Sequence, residues 1–296
     1  DPQTLSRIRD LDGILARLGD AQEERDVLAA QVSAGFASTS RASDDGSASP
    51  GLAALRYADH LARQNRYGDA LVEYSRAREA LSDTAGIDWL RAERGAAECS
   101  KRLGAYREAA EAYARIVPQL ERLLPGDPWA LADALNDHSL ALSHLGRVDE
   151  MAVVQQRAIE VADGAGSNPE RAVQLRIWLG RRLAEAQRFP EALAAYDDAA
   201  KTGAGTLGVE HAITLDATDD RAETLISLGR HREALRIYRT NIPAMERVLG
   251  ADSAAVRRAR GKQKTSAQQA SKTRSAIIGG VIVAAILVYV VVTRMT

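Results

Sequence analysis

Apolar and small residues recur along most of this chain with the 3.6-residue period of α-helices, and short breaks interrupt them at regular intervals. The stretch from Leu228 to Leu235 shows the pattern: a leucine, a glycine, three basic residues, an acid and then Ala234. Gly229 can adopt the positive φ that ends a helix. Glu233 falls in the first turn of the next helix, where the macrodipole favours an acid. The stretch therefore predicts a helical hairpin.

Four earlier copies of this phrase repeat the same arrangement. The positions equivalent to Ala234 are Ala70, Ala109, Met151 and Ala192, so that successive copies are 39, 42, 41 and 42 residues apart. A tyrosine follows four residues later in four of the five copies, as Tyr74, Tyr113, Tyr196 and Tyr238, and Gln155 replaces it in the other. A fixed period of this length indicates stacked helical hairpins. We predict an all-α array of five repeats over residues 51–253.

The repeated phrase resembles the tetratricopeptide repeat (TPR). Its period near 42 residues is similar to the kinesin-light-chain type found in many bacterial proteins. Leu135 to Leu142 is similar to the first-helix phrase of that type, and Leu249 to Ser253 to its inter-repeat loop. The resemblance implies a right-handed solenoid whose concave face binds peptides or protein segments. It implies no catalysis.

The two flanks of the array differ in composition. Residues 1–33 carry an apolar stripe and predict a degenerate helical hairpin, with an isolated amphipathic or coiled helix as the alternative. Residues 34–50 are rich in Ser, Ala, Gly and Asp and predict a flexible linker. Residues 254–275 predict a basic juxtamembrane helix. Its seven basic residues are the predicted anionic-lipid contacts: Arg257, Arg258, Arg260, Lys262, Lys264, Lys272 and Arg274.

Residues 276–293 form an uninterrupted run without a charged side chain. A helix of that length spans about 27 Å, enough for a bilayer core, so the run predicts a transmembrane anchor rather than a buried soluble helix. Seven basic residues precede the run and only Arg294 follows it, which predicts a single-pass, tail-anchored protein with cytoplasmic repeats. Ala276, Gly280 and Ala284 are four residues apart, and such spacing favours a homodimer through the span, unless they are ordinary membrane-helix residues.

Composition excludes several function classes. The net charge is −1, which gives no field that selects nucleic acid. The single cysteine, Cys99, cannot form an internal disulfide and is predicted to be a buried thiol. The histidines lack zinc spacing, and neither a phosphate loop nor a nucleophile elbow is present, so we predict no enzyme activity, metal or cofactor. The pairs Asp197–Asp198 and Asp219–Asp220 are predicted to be solvated surface charges.

The resemblance places the first helix of each repeat on the concave face. By phase, the candidate groove residues are Arg91, Arg94, Asn136, Arg181, Asp216 and Asp219. The alternative is that they form ordinary solvated helix faces.

Two functional hypotheses follow from the sequence. The first is a membrane-tethered adaptor or scaffold that presents a cytoplasmic repeat groove to a peptide or protein. The alternative is the regulatory or sensing C-terminal part of a larger effector, whose enzymatic or nucleotide-binding domain lies upstream, because the chain starts at Asp1 without a methionine.

Overall fold

The computed structural model describes residues 50–82 and 86–272, and all regular secondary structure within these ranges is α-helical. The predicted hairpin over 1–33, nearly all of the predicted linker and the predicted span over 276–293 lie outside the described residues. None of the helices within those two ranges has the length and apolar character that a membrane span requires.

The helices pair into hairpins with short turns. They are α1 (Pro50–Arg63), α2 (Tyr67–Ala80), α3 (Ile87–Arg102), α4 (Tyr106–Leu123), α5 (Pro128–His144), α6 (Val148–Ala165), α7 (Pro169–Glu185), α8 (Phe189–Thr206), α9 (Ala212–Ser227) and α10 (His231–Leu249). A further helix, α11, covers 254–272. We number the hairpins 1 to 5, from α1–α2 to α9–α10. Because every element of the described residues is an α-helix, the predicted all-α class is confirmed.

Every hairpin turn uses one residue with positive φ, five positions before the repeated small residue. Gly104, Gly146 and Gly229 adopt φ of 77°, 71° and 73°, while Asn65 and Gln187 adopt 60° in the two copies without glycine. In each turn the next residue donates its N–H to a carbonyl five residues back, at 2.8 to 3.0 Å. This bond closes a Schellman-type helix end, and it leaves room for only a short link before the second helix.

The repeated small positions lie where the two helices of a hairpin cross. Ala70, Ala109, Met151, Ala192 and Ala234 each have 0% of their surface exposed. A second buried set lies at one equivalent position on the first helix of each hairpin: Ala58, Ala97, Ser139, Gly180 and Ala222. Small side chains on both helices allow close crossing, which explains why the phrase keeps its phase along the chain. The third hairpin departs from this pattern, with Met151 and a serine at the crossing.

The chain divides between Gly126 and Asp127 into two compact units. The described part of the first unit contains α1–α4, and its core includes Leu55, Leu61 and Cys99. The described part of the second unit contains α5–α11, and its core includes Leu215, Tyr238 and Met245. Helix α11 closes this second core, because Val256 and Ala259 are fully buried in it. The chain thus covers the apolar face of the fifth hairpin with a single helix.

Candidate functional site

Helix α9 carries four acids on one face. They are Asp216, Asp219, Asp220 and Glu223, and their spacing of three and four residues aligns them along the helix. Arg181 of α7 holds one end of the row, with Nη2 2.7 Å from Asp216 Oδ2 and Nε 2.9 Å from Asp220 Oδ2. Lys262 of α11 holds the other end, with Nζ 2.5 Å from Glu223 Oε2 and 3.8 Å from Asp219 Oδ2. We call these six residues the α9 charged face.

The acids of the α9 charged face differ in their exposure to solvent. The side chains of Asp216 and Glu223 are about half exposed, whereas those of Asp219 and Asp220 retain only 16% and 17% exposure. Burial raises the pKa of both inner carboxyls, and it raises that of Asp220 to about 6 against the opposing effect of Arg181. The prediction that Asp219 and Asp220 are solvated is therefore wrong, because α7 and α11 cover the middle of the row.

A buried tyrosine lies beneath the α9 charged face. Tyr238 is fully buried, and its hydroxyl has no hydrogen-bond partner among the described residues. Desolvation, followed by the negative charge of Asp219, raises its pKa above the ordinary value for a phenol. The equivalent hydroxyl in the first hairpin, that of Tyr74, donates a 2.6 Å hydrogen bond to Asp59 Oδ1. The same repeat position thus contains one satisfied and one unsatisfied phenol.

The groove candidates of the first unit lie on α3. Arg91 is exposed and forms ion pairs with Asp59 at 3.3 Å and with Asp88 at 3.4 Å. Arg94 is also exposed, and no described residue pairs with its guanidinium. Arg94 is thus the more accessible cation of the two.

In the second unit the structure brings three of the candidates together. Arg181, Asp216 and Asp219 all belong to the α9 charged face, where Arg181 is already paired with two carboxylates. Asn136 is separate from them, because its Oδ1 accepts a 3.2 Å hydrogen bond from Arg182. Asn136 is therefore bound by Arg182, the residue that follows the predicted groove residue Arg181.

Arg182 lies in a buried polar network that the sequence prediction missed. Its Nη1 donates to Ser139 Oγ and to Gln155 Oε1, both at 2.6 Å, in addition to Asn136. Gln155 also accepts from Ser139 and donates to the carbonyl of Leu175 at 3.0 Å. Burial lowers the pKa of Arg182 to about 10. Gln155 occupies the repeat position at which the other four copies carry a tyrosine. This departure from the pattern was the signal in the sequence for the buried polar network.

The predicted lipid-contact residues lie on α11, except for Arg274, which lies outside the described residues. Arg257, Arg258, Arg260, Lys264 and Lys272 are exposed to solvent. Lys262 is partly buried against α9. The predicted span-packing residues Ala276, Gly280 and Ala284 also lie outside the described ranges. The basic residues of α11 therefore differ in their exposure to solvent, and Lys262 is the one that is packed against α9.

The remaining chemistry of the described residues is sparse. Cys99 is buried as predicted, and burial raises the pKa of its thiol to about 11, so the reactive thiolate is disfavoured. Within 50–82 and 86–272, no three His, Cys, Asp or Glu side chains are grouped closely enough to hold a metal ion.

Comparison with known proteins relates this chain to helical repeat structures. No protein-family model and no curated protein sequence matches the chain. The apo form of RapI aligns with a TM-score of 0.60 at 11% identity, over 94% of this chain and 69% of RapI. A Podosopora anserina kinesin light chain with nearly identical TPR-like repeats aligns with a TM-score of 0.55 at 15% identity, over 66% of this chain and 94% of that one.

A third similar structure is a signal-transduction ATPase with a tetratricopeptide repeat sensor, from Pyrococcus horikoshii. It aligns with a TM-score of 0.55 at 13% identity, over 79% of this chain and 37% of that one. Identities this low relate the folds alone. Together the likenesses show that this chain has a TPR-like helical repeat fold.

Proposed function

We propose that this chain is a protein-interaction scaffold of the kinesin-light-chain-like repeat type, which binds a peptide or protein partner on the first helices of its hairpins. The α9 charged face is the observation that carries the proposal. Its outer carboxylates, Asp216 and Glu223, are half exposed, while Arg181 and Lys262 hold them in place. Fixed and accessible charges of this kind suit recognition, because little side-chain entropy remains to be lost on binding.

A binding experiment tests this role. The full chain serves as bait in a crosslinking pull-down, with a double variant, Asp216→Asn with Glu223→Gln, as the comparison. Each substitution conserves shape and removes one exposed charge, so that folding should be unchanged. Partners recovered by the parent chain and lost by the variant support the proposal. Recovery of the same partners by both chains contradicts a role for this face.

We also propose that the chain is tethered to a membrane by residues 276–293, with the repeats on the cytoplasmic side and a homodimer formed through Ala276, Gly280 and Ala284. The uncharged run and the basic residues before it support this proposal. A protease added to the cytoplasmic face of sealed vesicles should digest the repeats. Full protection of the repeats would place them on the opposite side.

A second proposal is that the repeats form the sensing part of a larger effector. The Pyrococcus horikoshii protein motivates it, because that protein combines a repeat sensor with an ATPase and this chain spans 37% of its length. Sequencing the transcript that encodes this chain tests the idea. An in-frame enzymatic or nucleotide-binding domain upstream of Asp1 supports it, and a start codon immediately upstream contradicts it.

A further inference from the structure

Helix α11 has one face that binds its own unit. Val256, Ala259 and Ser266 are fully buried on that face. Lys262 extends from the edge of the buried face to Glu223 and Asp219 of α9. Burial of Val256, Ala259 and Ser266 fixes the rotation of α11 about its own axis, and so it decides which side chains face solvent.

The opposite face of α11 is exposed and positively charged. Positions 257, 260, 264, 268 and 272 follow one another at spacings of three and four residues, so they form one stripe along the helix. Four of these positions carry a basic residue, and Arg258 lies beside the stripe. After Asp252 the sequence contains no acidic residue. The exposed stripe therefore has a positive charge with no neutralising acid on its own helix.

The basic residues of α11 differ in what already binds them. Arg260 Nη2 lies 2.9 Å from Glu246 Oε1, and Arg257 Nη1 donates to the backbone carbonyl of Asp252 at 2.8 Å. Arg258, Lys264 and Lys272 are exposed, and no described residue forms an ion pair with them. These three cations are therefore the ones with the most charge to offer an external partner.

We propose that the solvent face of α11, with Lys264 and Lys272 on its exposed stripe and Arg258 beside it, is a docking surface for an anionic phospholipid bilayer. The proposal deepens the membrane-tethering role proposed above. A bilayer is favoured over other polyanions because the uncharged run over 276–293 begins four residues after Lys272, at Ala276. Each basic residue near an anionic surface strengthens attraction about fivefold.

The consequence concerns the orientation of the second unit. A surface charge alone would tether a chain loosely, but α11 is packed into the core of its unit through Val256 and Ala259. Binding lipid on its outer face therefore holds α9 and α10 at a defined orientation to the bilayer. Lys262 has a different role, because its contacts with α9 join the helix to the unit.

The full chain, reconstituted in vesicles, tests this surface. A spin label at position 268, introduced as Gln268→Cys with Cys99→Ala, lies on the exposed stripe and reports collisions with a water-soluble paramagnetic relaxation agent. Vesicles of pure phosphatidylcholine are compared with vesicles containing phosphatidylserine. We expect the accessibility of the label to fall about threefold or more in the anionic vesicles and to recover at high salt. Equal accessibility in both lipids overturns the proposal.

Matched variants separate the two kinds of lysine. Lys264→Gln should weaken the lipid dependence, whereas Lys262→Gln removes the same charge two residues away and should leave it unchanged. If both variants change the lipid dependence of the label equally, the assignment of Lys264 to the lipid-facing side and of Lys262 to the α9-facing side is wrong. Protection of the label by added double-stranded RNA but not by anionic lipid would assign the surface to nucleic acid and overturn the proposal.

Insertion of residues 276–293 into the bilayer is measured separately, by alkaline extraction of the phosphatidylcholine vesicles. A chain that is extracted contradicts the proposed anchor, and the docking surface is then tested by sedimentation of the full chain with anionic vesicles. Salt-sensitive sedimentation supports the surface, and no sedimentation overturns it.

Discussion

Glu93 and Arg176 occupy the same position in the second and fourth hairpins and carry opposite charges. Glu93 is fully buried and pairs with Arg115 of α4 at 2.6 Å. Arg176 is also buried and pairs with Asp198 of α8 at 2.7 Å. Arg115 and Asp198 are themselves equivalent in the repeat. The two hairpins thus use the same pair of positions with reversed polarity.

Each of these buried charges also binds the second helix of the preceding hairpin. Glu93 pairs with Arg78 of α2 at 3.1 Å, and Arg176 pairs with Asp163 of α6 at 2.6 Å. A hairpin with the opposite polarity at this position would place its buried charge beside a like charge of the preceding hairpin. The second and fourth hairpins therefore differ in the charge that each requires of the helix before it.

The first prediction concerns the charge of Glu93. Glu93→Gln should lower the free energy of unfolding by about 1–3 kcal/mol, because two arginines lose their carboxylate partner, while their partial exposure limits the cost. Urea unfolding measures the change. Arg94→Gln, at the exposed neighbouring position, should change stability by about 0.5 kcal/mol or less. Equal effects of the two variants would show that the buried pair contributes nothing.

The second prediction compares two tyrosines at one repeat position. Tyr74→Phe removes a 2.6 Å hydrogen bond to the Asp59 carboxylate and should cost about 1.5–3 kcal/mol. Tyr238→Phe removes a buried hydroxyl without a described partner, so it should be neutral or slightly stabilising. Thermal unfolding of the two variants tests the difference. A larger loss for Tyr238→Phe would show that its hydroxyl has an unrecognised partner.

The third prediction concerns two glycines within helices. A Cβ on Gly180 would lie 2.7 Å from the ring of Tyr196, so Gly180→Ala should overpack the crossing and destabilise by about 1–3 kcal/mol. A Cβ on Gly164 would meet nothing within 4 Å, so Gly164→Ala should stabilise α6 by about 0.4–1 kcal/mol. Calorimetry should give melting temperatures that shift in opposite directions. A shift of the same sign for both contradicts the assigned crossing.

The fourth prediction concerns the pH dependence of stability. Asp220 has a pKa of about 6 in the folded chain, above its value in an unfolded chain, because burial outweighs the attraction of Arg181. Between about pH 4 and 6 the folded state therefore binds more protons at this group, and its contribution to stability rises as pH falls.

Comparison with a variant isolates that contribution. We subtract the unfolding free energy of Asp220→Asn from that of the parent. This difference should increase when the pH is lowered from 7 to 4.5. The expected gain is on the order of 1–2 kcal/mol. Asp88→Asn, which removes a partly exposed carboxylate paired with Arg91 in the first unit, is the control. A difference that does not vary with pH would mean that Asp220 ionises at its ordinary pKa.

The amino-acid sequence by itself determined the hairpins and their phase. The residues five positions before each small residue all adopt positive φ, and the small residues themselves are all fully buried. Both features depend on interactions within one hairpin, between helices joined by a short turn. A pattern repeated five times therefore reports them reliably, even where Asn65 and Gln187 replace glycine.

Only the tertiary structure decided the environments of the charged side chains. Glu93, Arg176 and Arg182 are buried, and Arg181 is paired with acids 35 and 39 residues later in the chain. A helical period assigns such residues to a face, but it does not say which neighbouring helix covers that face. Burial and ion pairing depend on the packing of helices that are distant in sequence, so the charges of the candidate site acquired their partners and their pKa shifts only when the hairpins stacked.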